Sequence, residues 1–356
     1  MRRSTGLVRI PSLLVTALGL GCATPSAGDA SSSADDTTST DGSDTGNSPG
    51  TTAELTSVAD ATGDTTTSDP TVDPSSTEDS GPPPMGCTVA SLFTPGVHTG
   101  ITIDVNGVSR SYDLFVPTTY DPTALHPLVV NFHGLFGTPP QQADFSQFNP
   151  TAETHGMLVA YPEGIGQSFN AGVCCGQASS NDVDDVGFAR ALVADVALKM
   201  CVDGTRVYAT GMSNGGHMAH RLACEAADLF AATSSVAGVL SLAGPCTPSR
   251  PISITQYHGT ADTIVQYDGF PNVPDMMAAW AARNGCAAVA ETTFDQGDTL
   301  CRTWPGCDGG VEVSLCTIEG GGHCWPGNAS CIFGSSTTEL HASEEIALMF
   351  DSQVLP

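Results

Sequence analysis

The chain has 356 residues, 11 of them Lys or Arg and 38 Asp or Glu, for a formal charge of −27. A field of that sign repels phosphate backbones and argues against nucleic-acid binding. Thirteen cysteines with no CxxC pair among them point to an oxidising compartment and a disulfide framework rather than a zinc site.

Residues 1–22 carry an export pattern. Arg2, Arg3 and Arg9 form a basic start, and Leu13–Leu20 is an apolar run too short to span a bilayer as a lasting helix. Gly21-Cys22 resembles a bacterial lipoprotein cleavage site, at which Cys22 would be lipidated. Gly19 stands where such sites usually carry Leu, so ordinary signal cleavage and free secretion is the rival reading. Either one exports the protein, and the lipid is the one membrane contact expected. Residues 23–86 are almost wholly Ser, Thr, Asp, Gly, Pro and Ala, with twelve acidic residues and no Lys or Arg. So few apolar groups cannot offset the entropy of ordering, so this stretch is expected to be a disordered acidic linker. The remaining body, 87–356, is long enough for one large domain and short for two.

The body opens with strand patterns. Ile101–Val105, Asn106-Gly107 and Val108–Val116 predict a hairpin with a tight primed turn. Pro127–Phe132 (PLVVNF) is a continuous apolar run, as expected of a strand buried on both faces, and Met157–Tyr161 is another. Asp184–Cys201 predicts a helix with Val186, Phe188, Ala189, Leu192, Val193 and Val196 on one side. Arg206–Thr210 reads as strand, Asn214–Ala227 as helix, and Ala231–Ala237 and Ile252–Tyr257 as strands. Val273–Arg283 reads as a helix ending at Asn284-Gly285, Thr299–Trp304 and Val311–Ile318 as paired strands, and Glu339–Phe350 as a closing helix. This alternation implies an α/β fold with a mostly parallel central sheet and helices on both faces.

Gly211-Met212-Ser213-Asn214-Gly215 follows a strand pattern and opens a helix, which is the context of a nucleophile elbow and makes Ser213 the candidate nucleophile. A serine hydroxyl needs a base. Of the histidines beyond it, His217 and His220 lie on the following helix and are expected to pack or face solvent. His258 ends a strand, and His341 lies near the last helix. His323, presented from the loop Gly320-Gly321-Gly322-His323, is the candidate base. The orienting acid is expected just past the Ile252–Tyr257 strand, at Asp262, with Asp268 as the rival. Oxyanion donors are expected at the Asn214 N–H and in His133-Gly134-Leu135-Phe136-Gly137, at Leu135 or else Phe136. Trp325 either walls the substrate pocket or packs its loop, and Trp280 is expected in the core. His217 and His220, three apart with no Glu in zincin spacing, do not make a metal site, and no cofactor is implied.

These residues together resemble the polyhydroxybutyrate depolymerase-like esterases, a group that takes in feruloyl and acetylxylan esterases. The resemblance covers essentially all of 87–356. It rests on His133-Gly134, Tyr161-Pro162-Glu163-Gly164, NAGVCCG at 170–176, Val183-Asp184-Asp185-Val186, RVYATGMSNGGHMAHRLAC at 206–224, HGTADTIVQYDG at 258–269, Trp280 with Asn284-Gly285-Cys286, and GGGHCWPG at 320–327. It implies an α/β-hydrolase fold without a separate lid domain, Ser213, Asp262 and His323 as the triad, and hydrolysis of an ester, polymeric or small. Family-like spacing implies Cys286–Cys307. A hairpin near Asp308-Gly309 would set Cys301 opposite Cys316. Cys324, where the family usually has a small residue, and Cys331 are expected to pair, as are Cys224 and Cys246, while Cys87, Cys174, Cys175 and Cys201 are left unassigned. Two other classes stay open: a peptidase of the same fold, and a catalytically silent surface-binding protein. An intact Ser, Asp and His in order argues against the second.

Overall fold

The computed structural model describes residues 87, 91–331 and 333–356. The export segment, Cys22 and the linker expectation lie outside them. The described chain runs β1 (Gly96–Val105), β2 (Val108–Val116), β3 (His126–Phe132), α1 (Pro139–Ser146), α2 (Phe148–His155), β4 (Leu158–Pro162), α3 (Gly176–Ser180), α4 (Asp185–Lys199), β5 (Val202–Met212), α5 (Asn214–Glu225) and β6 (Ala232–Val236). It continues with β7 (Ser253–Gly259), α6 (Val273–Arg283), β8 (Glu291–Gln296), β9 (Thr299–Trp304), β10 (Val313–Ile318) and α7 (Ala342–Asp351). The ten strands form one sheet in the order β1-β2-β4-β3-β5-β6-β7-β10-β9-β8. The central strands from β4 to β10 pair in parallel, and the flanking pairs are antiparallel.

Strand periodicity splits the core in two. Successive side chains of a strand point to opposite faces. Leu128, Val130, Phe132, Leu158, Ala160, Val207, Ala209 and Ile254 therefore pack on one face, with Phe188 and Leu192 of α4, Met218 and Leu222 of α5, and Met277 and Trp280 of α6. Val129, Val159, Tyr161, Tyr208 and Tyr257 fill the other face, with Phe148 of α2 and Ile346 and Phe350 of α7. Tyr208 and Phe350 stack there at 4.5 Å. Covering both faces is what allows β3 and β4 to read as nearly continuous apolar runs.

The expected elements are present with small shifts at their ends. Asn106 and Gly107 take φ of 54° and 82°, the primed turn expected of the first hairpin. Asp184 caps α4, its carboxylate accepting from Gly187 N–H at 2.7 Å. Four elements carried no sequence signal: α1, α2, α3 and the edge strand β8. β8 buries almost nothing (Glu291–Gln296 is exposed but for Phe294), so it needs no alternation.

The twelve cysteines of the body form six disulfides. Cys286–Cys307, Cys301–Cys316, Cys324–Cys331 and Cys224–Cys246 pair as expected. The unassigned four form Cys87–Cys201 and the adjacent pair Cys174–Cys175. Cys224–Cys246 ties the end of α5 to the loop before β7 across a separation of 22 residues. Replacing both by Ala is expected to cost about 3 kcal/mol of unfolding free energy, the loop-closure entropy of a ring that size. Urea denaturation checks it, and an unchanged midpoint would show that this bridge does not constrain the unfolded chain.

Candidate active site

The site grows from the β5–α5 turn. Ser213 there has φ 55° and ψ −119°, a conformation that costs a non-glycine residue on the order of 1–3 kcal/mol. The two flanking glycines are dictated by contact. A β-carbon at Gly211 would lie 2.6 Å from the Phe132 carbonyl oxygen, and one at Gly215 would collide with the same carbonyl. The turn is held by Ser213 N–H donating to Val236 O at 2.9 Å and His217 N–H donating to Ser213 O at 2.9 Å.

Parallel strands bring the other two candidates to the same edge. Asp262 follows β7 and His323 follows β10, each beyond the C-terminal end of its strand. The two loops are laid one on the other. Ala261 N–H donates to Gly321 O at 2.9 Å, and a β-carbon at Gly259 would collide with Gly321. Of the three glycines before His323, only Gly320 has a positive φ (68°). Gly321 and Gly322 are required by close approach, to Ile318 and to the Phe333 carbonyl.

His323 Nδ1–H donates to Asp262 Oδ2 at 2.7 Å, with both residues buried. The other carboxylate oxygen accepts from Ile264 N–H (2.8 Å) and Val265 N–H (2.9 Å). Burial pushes the Asp262 carboxyl up, but the hydrogen bonds and charge of His258 and His323 outweigh it and hold it below the usual carboxylate range. With Nδ1 committed to Asp262, Nε2 of His323 is the free nitrogen. Among the described residues Ser213 Oγ makes no hydrogen bond, so the Oγ–Nε2 contact is not closed in this structure. Asp268, the rival acid, is exposed and accepts from Asn272 instead.

The loop after β3 lies over the serine: a β-carbon at Gly134 would sit 3.3 Å from Ser213 Cβ. Of the two donors expected in this loop, Phe136 N–H already donates to Gln167 O (2.8 Å), which leaves Leu135 N–H. Asn214 N–H opens α5 and has no intrahelical acceptor. The Asn214 side chain clamps the Phe169 backbone, accepting at 2.7 Å and donating at 2.9 Å, and touches Cys175 Sγ at 3.5 Å.

Sequence reasoning passed over His133. Gly164 N–H donates to its Nε2 (3.0 Å), so its Nδ1–H donates to Gly134 O (2.8 Å), pinning the loop over Ser213. His217 and His220 pack, as one of the two expected placements had it. His217 Nδ1 turns onto the Val239 backbone, whose N–H lies 2.8 Å away. Trp325 requires a correction. It is fully buried in the core under α7, with its indole N–H on Ser343 Oγ at 3.1 Å, and so has no surface to offer a pocket. Trp280 is in the core as expected.

These features define the class: an α/β-hydrolase fold, with a serine on a strained strand–helix turn and an Asp–His pair at the same sheet edge. The comparisons agree. The family model described as esterase PHB depolymerase matches residues 110–255. Feruloyl esterase B of Piromyces equi is 36% identical over 217 residues, covering 55% of this chain but 39% of that protein. The chain thus spans well under half of that relative. A putative esterase NocK of Nocardia uniformis subsp. tsuyamanensis is 29% identical over 314 residues, 76% of this chain and 91% of that one. Among solved structures, an acetyl xylan esterase from Aspergillus awamori shares the fold with a TM-score of 0.52 at 16% identity, over 72% of this chain and 99% of that one. Over residues 110–255 the chain is similar to the esterase PHB depolymerase family, and over a comparable stretch to feruloyl esterases.

Burial holds His133 and His217 down to about 4 and His220 down to about 3, from an ordinary 6.5. The unfolded chain therefore binds more protons than the folded one between those values and 6.5, so the stability these residues contribute is full above about pH 6.5 and is lost as pH falls through the window. Each is expected to cost on the order of 2 kcal/mol by pH 5. Melting temperature should fall between pH 7.5 and 5, and less steeply in His133→Gln. A flat profile would show that these rings are not held neutral.

Proposed function

We propose that this protein is an extracellular serine carboxylic-ester hydrolase that works through an acyl-enzyme. Ser213 Oγ attacks the ester carbonyl while His323 Nε2 takes its proton, and Asp262 holds the His323 tautomer and stabilises the imidazolium without being protonated. The N–H groups of Asn214 and Leu135 receive the developing oxyanion. His323 then returns its proton to the leaving alcohol and activates the water that releases the acid. Catalytic hydrogen bonds are commonly long in an empty site, and the mechanism requires Ser213 Oγ to come within reach of Nε2 when the ester binds. One observation carries the reading: the 2.7 Å His323–Asp262 pair, delivered from β10 and β7 to the edge where Ser213 sits on its strained turn. Export is supported by the six disulfides; the protein is free or tethered to the cell envelope through a lipid at Cys22, with 23–86 as the tether to a single catalytic domain at 87–356.

The substrate class we favour is a short-chain hydroxyacid polyester, in line with the family model. A feruloyl or acetyl ester of plant polysaccharide is the second reading, favoured by the names of the feruloyl and acetylxylan esterase relatives. Both suit a neutral acyl group resting on apolar surface. Phe333 is half exposed with its ring 6.2 Å from that of His323, and Phe136 stands exposed on the loop over Ser213.

Ser213→Ala is expected to abolish labelling by a fluorophosphonate and to lower kcat on nitrophenyl esters by at least about 10³-fold. Undiminished labelling would remove Ser213 from the reaction. Hydrolysis rates on hydroxybutyrate oligomers, methyl ferulate and acetylated xylan separate the two substrate readings, and activity on none of them would overturn both.

A further inference from the structure

Behind Asp262 lies a chain of buried polar side chains drawn from three elements. Trp280 of α6 places its indole Nε1–H 3.2 Å from His220 Nδ1 on α5. His220 Nε2 is 2.9 Å from Gln256 Oε1 on β7. Gln256 Nε2 is 3.0 Å from His258 Nδ1 at the end of the same strand. His258 Nε2 is 2.7 Å from Val265 O and 3.4 Å from Asp262 Oδ2, the oxygen that also accepts from His323. Trp280, His220, Gln256, His258 and Asp262 are each at least 96% buried.

One group sets the direction of every bond. An indole N–H can only donate. His220 Nδ1 must therefore accept, which places the proton of that neutral ring on Nε2. That proton requires an acceptor, so Gln256 presents its oxygen to His220 and its amide N–H to His258. His258 Nδ1 accepts in turn, and its proton lies on Nε2, facing Val265 O and Asp262. Turning the Gln256 amide over would set two donors against each other at His220. Burial, which holds His220 neutral, keeps the chain from being broken by protonation at neutral pH.

We propose that His258 is a positioning residue for the triad: oriented by the Trp280–His220–Gln256 chain, its Nε2–H donates to Val265 O and pins the 262–265 turn, with its positive edge 3.4 Å from Asp262 Oδ2. The proposal rests on the reading of Asp262 and His323 as catalytic. The carboxylate is then fixed by two backbone N–H groups at Oδ1 and by His323 at Oδ2, and the turn that supplies those N–H groups is held by His258 through Val265 O. Held so, it keeps His323 in the tautomer whose Nε2 is free for Ser213. Gln256 is a long polar side chain in the middle of a strand buried on both faces (SITQYHG), where it needs partners for both its oxygen and its amide N–H.

The test compares two substitutions of the full protein on nitrophenyl acetate. His258→Phe keeps the ring shape and removes the donor; His258→Gln keeps an N–H near the Nε2 position. His258→Phe is expected to lower kcat about 10- to 100-fold with KM changed less than about twofold, and His258→Gln to stay within about threefold of the parent. Equal kcat for His258→Phe and the parent, or equal losses in two variants that melt like the parent, would overturn the proposal. Should His258→Phe fail to fold, ¹⁵N spectra of the unsubstituted protein decide: Nε2–H on both His220 and His258 is expected, and Nδ1–H on either overturns it. Fluorophosphonate labelling of the same preparation reports on the hydrolase reading separately, because the tautomers can be read whether or not the serine reacts.

Discussion

The Phe132 carbonyl is the point against which the site is built. It ends β3, and both glycines of the elbow, Gly211 and Gly215, approach it too closely for any side chain. That contact lets α5 start directly against the sheet and forces the intervening Ser213 into its strained turn. A strain of 1–3 kcal/mol survives only where surroundings over-determine it. Here they do so with Ser213 N–H on Val236, its carbonyl on His217 N–H, and an α5 buried along most of its length. The strain leaves the hydroxyl on the open edge of the sheet, while the backbone beneath it is closed by packing.

How far this was legible in the sequence depends on whether a feature is local. The elbow is local: glycines two before and two after a serine, a β-branched run before and a helical pattern after, so the site's first residue could be read directly. Asp262 and His323 are 61 positions apart, yet each sits just past a recognisable strand, and a parallel sheet brings such positions to one edge. Trp325 could not be placed from sequence because adjacency to His323 says nothing about side; of its two expected placements the structure takes packing, in the core beneath α7. β8 and the short helices α1 to α3 left little trace, because elements that bury few apolar groups need no pattern. The Trp280–His220–Gln256–His258 chain was invisible for a different reason. Its members come from three separate segments, and its meaning lies in which atom donates, which no spacing encodes.

The histidines at this edge show how environment sorts identical side chains. His133, His217 and His220 are each turned onto a backbone group or a neutral side chain, and burial keeps them uncharged. None can take up a proton during turnover without paying the burial penalty of a charged ring. His258 and His323 both face Asp262, but His258 turns its proton-bearing nitrogen inward, to Val265 O and the carboxylate. Among the described histidines at this edge, only His323 combines a carboxylate on one nitrogen with an uncommitted second nitrogen. The proposed base is thus singled out by the commitment of every other ring at this edge.

The disulfides fit the same logic of local fixation. Loop-closure entropy grows with the logarithm of ring size, so Cys324–Cys331, closing a separation of seven residues, adds less to global stability than Cys87–Cys201 across 114. What the short bridge does is order the chain immediately after His323, where the loop is otherwise held by scattered backbone bonds such as His323 N–H to Phe333 O. Cys301–Cys316 joins β9 to β10, the strand that delivers His323. Cys174–Cys175 lies against the Asn214 side chain, beside the loop of Leu135. Three of six cross-links therefore act on the segments that place the proposed base and oxyanion donors. A site assembled from loops on a rigid sheet gains most from covalent bonds that remove freedom from those loops, because a displacement of about 1 Å there costs far more in rate than the same displacement elsewhere costs in stability.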